Sequence, residues 1–186
     1  LKCTSAHGKT MLSGEKASEY PSLPTVENKT AFALDAASLL EALHLVTFTS
    51  ARTSLRPVLS GVYLRTEGPE FILVATDSYR LSEYKIKAEA EGGDISCIIP
   101  VKVLDELKTM LAAKKPAKRS PTEEDVKEGT REEAIPVRVT LGTQQIEITV
   151  GNTHLLSRLI EGKFPDYRQI IPKEAPTKTF VSTRDL

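Results

Sequence analysis

Three histidines, His7, His44 and His154, are the first places where metal or acid–base chemistry could reside. None has a ligand-type residue three or four positions further on, the spacing that brings two ligands to one metal, so no metal site is expected. Asp77, Glu83 and Asp166 are candidate catalytic acids, but they form no carboxylate pair at helical or strand spacing. No nucleophile stands beside a base, so no catalytic residue is assigned. Gly8-Lys9-Thr10 resembles the end of a phosphate-binding loop, yet Cys3 occupies the position where that loop needs its first glycine. A turn between strands is the better reading. Cys3 and Cys97 lie far apart in apolar, strand-like surroundings and are expected to be buried and reduced. Asn28-Lys29-Thr30 fits a glycosylation acceptor, but no secretory signal gives it meaning.

Three other stretches do not read as ordinary core. Ser54 to Gly61 leads out of a helix into a strand. Ala75-Thr76-Asp77-Ser78-Tyr79-Arg80-Leu81 is a polar, aromatic turn, and Arg158 to Tyr167 closes a meander. The second and third could frame an apolar groove bordered by Arg80 and Tyr167. A capped turn followed by a proline-rich linker is the reading the residues alone favour, with the groove as the alternative.

The elements around these stretches alternate between helix and antiparallel strand. Ala36, Leu39, Leu40, Leu43 and Val46 make one helical stripe, with Asp35 placed to cap it. Strands are predicted at Gly61–Arg65, Phe71–Ala75, Leu81–Ala88 and Asp94–Ile99, with a turn at Glu67-Gly68-Pro69. Pro100 suits the first turn of a second helix, whose buried face is Val103, Leu104, Leu107, Met110 and Leu111. A meander follows from Val137, turning at Gly142-Thr143 and Gly151-Asn152. The pattern predicts an α+β domain with two amphipathic helices packed on antiparallel sheets. Residues 114–133 break it: twelve of 20 positions are charged, six of each sign, and Pro116, Pro121 and Gly129 interrupt any helix. This segment is expected to be an exposed, mobile insertion.

A weak repeat spans the chain. Leu12-Ser13 and Pro21 recur as Leu156-Ser157 and Pro165 at one offset, since 156 − 12 and 165 − 21 both equal 144. Thr30–Ala33 before Asp35, and Lys178–Val181 before Thr183, are short strand-like pieces with a following cap. A period of this length is domain-sized, so tandem similar domains are expected. Residues 1–25 would end one, 26–172 form a complete middle one, and 173–186 begin a third. The start at Leu1-Lys2-Cys3 rather than Met fits a piece of a longer protein. Apolar content of 40% supports a real core, zero net charge announces no nucleic-acid binder, and no apolar run approaches a membrane span.

Arg56-Pro57-Val58-Leu59-Ser60-Gly61-Val62, Val74 to Leu81, Ile98-Ile99-Pro100-Val101-Lys102 and Ser157 to Tyr167 closely resemble segments of the bacterial sliding clamps, the DNA polymerase III beta subunits. Glu19-Tyr20-Pro21-Ser22-Leu23-Pro24 is similar to the exit of that family's first domain. The resemblance implies a DNA-clamp fold and a non-catalytic processivity subunit of the replicative polymerase. Three same-fold domains per subunit and two subunits closed head to tail would encircle duplex DNA. Linkage by topology removes the need for a strong electrostatic grip, which suits the neutral charge.

The resemblance also implies a pocket for linear peptides of polymerase, clamp loader and repair proteins, shared between middle and third domains. Its wall here would be Leu59, Thr76, Ser78, Tyr79, Arg80, Leu81, Pro165, Gln169 and Ile170. The family commonly has Gly-His where Ser78-Tyr79 stand, and often a basic residue in place of Gln169. Arg52, Thr53, Arg56 and Lys102 would face DNA, without sequence preference. No cofactor, metal or membrane is implied, the location would be the bacterial cytoplasm at the nucleoid, and the chain alone would be monomeric. The rival expectations are a clamp-fold peptide scaffold without a replication role, and a hydrolase with an unrecognised site.

Overall fold

The computed structural model describes residues 1–20, 25–26, 30–53, 55–91, 95–114, 135–172, 174 and 176–184. Pro21–Pro24, Asn28, Ser54 and all but Lys114 of the expected charged insertion lie outside them.

β1 (Lys2–Ser5) and β2 (Gly8–Met11) pair as an antiparallel hairpin, with Lys2 opposite Met11 and Ser5 opposite Gly8. The Gly8-Lys9-Thr10 run is therefore strand and not the expected turn, which falls just before it at Ala6-His7. Every residue of the ribbon is exposed, Cys3 included. The expectation of a buried thiol fails at Cys3, because among the described residues nothing covers either face of this two-stranded piece. Cys97 is half-buried, and burial pushes its thiol up to about 12.

The main body begins with β3 (Thr30–Asp35), which runs directly into α1 (Ala36–Val46). Asp35 caps α1: its carboxylate accepts from the Ser38 amide and from the Ser38 hydroxyl, each at 2.9 Å. Beyond α1 come β4 (Gly61–Glu67), β5 (Glu70–Thr76), β6 (Leu81–Lys87), β7 (Glu89–Glu91) and β8 (Ser96–Pro100). α2 (Val101–Lys114) follows at once, and its first amide donates to the Ser60 carbonyl at 3.2 Å. Pro100 ends the strand instead of opening the helix, a shift of one residue. The chain closes the domain with β9 (Pro136–Leu141), β10 (Gln145–Val150) and β11 (Thr153–Arg158).

Two antiparallel sheets result, one in the order β11-β10-β9-β3-β7 and the other in the order β6-β5-β4-β8. At the β4–β5 turn Glu67 faces Glu70 across Gly68-Pro69, and Gly68 takes φ of +57°, a conformation glycine adopts without steric cost. α1 packs beside α2 and over β5 and β6. Leu39, Leu43 and Val46 of α1 meet Leu104, Leu107 and Leu111 of α2, together with inward residues of both sheets, in the main core. Burial of each such leucine contributes about 2 kcal/mol.

β5 reads as an unbroken apolar run because both its faces are covered. Phe71, Leu73 and Ala75 enter the main core. Ile72 and Val74 point the other way and join Leu59, Ile98, Phe164 and Tyr167 in a second, smaller core. Lys178–Val181 is not strand, and Phe180 is 96% exposed. No described strand lies alongside to accept its hydrogen bonds.

Candidate functional site

The turn between β5 and β6 spans four residues, since Thr76 pairs with Leu81. Its shape comes from side-chain oxygens. Asp77 Oδ1 accepts from the amides of Tyr79 and Arg80, both at 3.0 Å, and Thr76 Oγ1 accepts from the Ser78 amide at 3.1 Å while donating to the Arg80 carbonyl at 2.7 Å. Those two amide bonds, with the Arg80 guanidinium at 3.1 Å, hold the Asp77 carboxyl below the usual carboxylate range. Ser78 is forced to φ of +81°, among the described residues the one non-glycine in the left-handed region. At the tip Tyr79 is 98% exposed.

Arg80 faces away from the tip. Its Nη2 donates to the Phe48 carbonyl at 2.9 Å, and its guanidinium lies 5.4 Å from the centre of the Phe48 ring. It joins the turn to Phe48, just past the end of α1.

The outer face of the four-stranded sheet carries the segment that follows β11. Ile160 donates its amide to the Ile98 carbonyl at 2.8 Å, along the free edge of β8. Gly162 then turns the chain at φ of +129°. Phe164 stacks on Tyr63, centroids 4.9 Å apart and planes 6° off parallel, and Tyr167 meets Phe164 edge-on at 6.5 Å. Tyr167 is only 3% exposed, so it lies beneath this segment and not on a groove rim. Its hydroxyl donates to Glu83 Oε2 on β6 and accepts from Arg65 Nε on β4 at 3.2 Å. Burial, then the bond to Glu83, raises the Tyr167 phenol and keeps it protonated. Glu67 completes the network, bound by Arg65 at 2.6 Å and Arg168 at 2.7 Å; these cations hold its carboxyl low.

Of the nine residues expected to wall a groove, Leu59 and Leu81 meet in the second core, Leu59 buried and Leu81 half-buried. Thr76 is buried as a turn-former. Pro165, Gln169 and Ile170 are exposed on the segment pinned by Phe164 and Tyr167, and Ile170 at 69% is a large apolar side chain left in solvent. A cleft of about 440 Å³ opens elsewhere, lined by Tyr63, Ser96, Cys97, Gln144, Ile160 and Phe164 among others, and it shares none of the nine. Sequence reading missed Tyr63 and Arg65, and it named Glu83 only as a candidate acid, without its tie to Tyr167. Their signal was strand alternation, which puts Tyr63 with Arg65, and Leu81 with Glu83, on one face.

The four residues expected to face DNA are all exposed. Arg52 reaches Asp105 at 3.8 Å, which brings it to the side of α2 where Lys102 stands one turn earlier. Arg56 instead points at the turn, 3.5 Å from Ser78 Oγ. Lys108 bridges Asp105 at 2.9 Å and Thr47 Oγ1 at 3.1 Å. Opposite charges thus alternate on this face. Among the described residues no group of acids, histidines and cysteines could hold a metal ion, and no helix is long and apolar enough to cross a membrane.

Two neighbouring helices backed by two antiparallel sheets, with a peptide-like segment sewn to the outer sheet, define a domain of the DNA-clamp fold. The DNA polymerase sliding clamp from Bacillus subtilis superposes with a TM-score of 0.75 at 27% identity, over 93% of this chain and 41% of that one. The DNA polymerase III subunit beta from Pseudomonas aeruginosa gives 0.75 at 25% identity, over 94% of this chain and 43% of that one. The beta sliding clamp of Staphylococcus epidermidis is 31% identical over 182 residues, 98% of this chain and 43% of its own length. That of Staphylococcus aureus is 31% identical over 175 residues, 94% of this chain and 41% of its own length. Residues 33–120 match the family described as DNA polymerase III beta subunit, central domain. The chain spans less than half the length of the curated relatives it matches.

Proposed function

We propose that this chain is the middle part of a replication sliding clamp, a non-catalytic processivity factor that encircles duplex DNA and tethers the polymerase. The likeness to beta sliding clamps along 98% of the chain carries this reading. Residues 26–172 are then one complete clamp domain, 1–25 the end of the preceding one and 173–186 the start of the next. The β1–β2 hairpin supports that division. Moved by 144 residues, Lys2–Ser5 falls on 146–149 within β10, and Gly8–Met11 on 152–155, overlapping β11.

Function follows from holding. A ring around DNA keeps its cargo at high effective concentration without a strong bond to phosphate. The paired helices fit this role, because Arg52, Lys102 and Lys108 are interleaved with Asp105 and Glu106 and can make only weak, sequence-independent contacts. Work of this kind belongs in the cytoplasm, at the nucleoid. Leu59, Leu81, Pro165 and Ile170 supply the apolar side of a peptide groove, with Thr76, Ser78, Tyr79, Arg80 and Gln169 around it. Polymerase, clamp loader and repair proteins would dock there through linear segments.

Fluorescence polarisation with a labelled clamp-binding polymerase peptide tests the reading. Half the groove belongs to the next domain, so loss of about 2–3 kcal/mol makes binding roughly 30- to 150-fold weaker than to a full-length clamp. Leu81→Asp or Ile170→Asp abolishes what remains. Affinity equal to the full-length ring, or indifference to both substitutions, refutes the groove. Sedimentation is expected to show a monomer, and a stable closed dimer would contradict that expectation.

A further inference from the structure

We propose that Tyr167, through its hydroxyl, is a positioning residue that sets the spacing between the two walls of the peptide groove. The inference rests on the groove reading above.

One wall is the start of β6, where Leu81 stands two residues before Glu83 and on the same face. The other wall is the segment carrying Pro165 and Ile170, which has no strand pairing of its own. A segment without a ladder keeps its place only through side-chain anchors. Phe164 on Tyr63 anchors it to β4 through ring contact, which allows sliding. The Tyr167 hydroxyl is directional: it donates to Glu83 on β6 and accepts from Arg65 Nε on β4 at 3.2 Å. Arg65 Nη2 lies 3.9 Å from the same Glu83 carboxylate, so the three groups close on one another. Leu81 and Glu83 share a strand, and Tyr167 lies three residues before Ile170. This bond therefore links the two walls. The Ile170 amide donates to the Tyr167 carbonyl at 3.0 Å, carrying the constraint from anchor to wall.

Tyr167→Phe keeps the ring and removes the bond. Glu83→Gln keeps an acceptor for the hydroxyl, and Glu83→Val does not. Affinity for the labelled polymerase peptide is expected to fall about tenfold in Tyr167→Phe, the worth of one partly buried hydrogen bond. Glu83→Val should fall alike, Glu83→Gln should stay within about twofold, and the Tyr167→Phe/Glu83→Val double variant should be no worse than either single one. In the peptide-free protein, hydrogen exchange at the Ile170 amide should rise in Tyr167→Phe and in Glu83→Val, and stay at the parent rate in Glu83→Gln. A change in global stability alone does not produce that rescue pattern. Parent-like affinity and exchange in Tyr167→Phe, or additive losses in the double variant, overturn the inference. If Leu81→Asp leaves peptide binding intact, the groove reading falls first and takes this one with it.

Discussion

Replacing Gly61 by alanine probes how closely the segment bearing the groove is seated on the outer sheet. A Cβ at this position would lie 2.6 Å from Ile98 Cγ2, 2.7 Å from the Ile99 carbonyl oxygen and 2.8 Å from Ile160 Cδ1. Ordinary carbon contacts need about 3.5–4 Å. The two side-chain ends can rotate away at modest cost. The carbonyl cannot, because Ile99 is held in register opposite Val62 in the β4–β8 ladder. Overpacking of this kind costs about 1–3 kcal/mol, and a backbone clash belongs at the upper end. Alanine returns about 0.5–1 kcal/mol by restricting the unfolded chain. The net loss is then about 2 kcal/mol, or a fall in Tm of about 4–8 °C for a domain of this size. Thermal melting followed by circular dichroism reads it, with Gly8→Ala as the control, since nothing lies within 4 Å of a Cβ there. A Gly61→Ala protein melting within about 1 °C of the parent refutes the packing argument, as does an equal cost at Gly8. Because Ile160 is one of the displaced groups, the same variant should also weaken peptide binding.

Three further outcomes follow from the turn and the thiols. Ser78→Gly should raise Tm by about 2 °C through relief of the left-handed backbone, whereas Ser78→Val, branched at Cβ, should lower it; the opposite order contradicts the strain assigned to φ of +81°. The Asp77 carboxyl titrates below its ordinary value, so its support of the turn is present above that value and lost as pH falls through the folded one. An NMR titration of the Tyr79 amide should show its midpoint below pH ~3.9, and a midpoint at or above this speaks against the two amide bonds. At pH 8 a thiol near 12 is about one part in 10⁴ thiolate, so Cys97 should react with a disulfide reagent at least a hundredfold more slowly than exposed Cys3. Equal rates would show that Cys97 is not shielded.

Much of the architecture was legible in residue order because local rules act within a few positions. Asp35 three residues before Ser38 is enough to start α1, and Leu39, Leu40, Leu43 and Val46 are enough to orient it. Gly68 and the alternation on either side are enough for a hairpin. Where local reading failed, a distant partner made the difference. Cys3 sits in a strand as expected, yet among the described residues the ribbon has no covering layer and Lys178–Val181, with its strand composition, has no strand to join. The candidate site shows the same division. Its turn and its Phe-Pro-Asp-Tyr segment stand out as residues, but their relation does not.

Taken by itself, the order of amino acids settled the helix stripes, the turn chemistry, the lack of any local catalytic or metal motif, and the short segments resembling sliding clamps. It settled them because caps, periodicity and turns depend on neighbours along the chain. Only the tertiary structure decided that Arg80 turns to the Phe48 carbonyl, that Tyr167 is covered, and that its hydroxyl lies between Glu83 and Arg65, residues 84 and 102 positions away in sequence. Contacts at such separation come from how two sheets stack and which face a returning segment crosses, and no spacing along the chain encodes that choice.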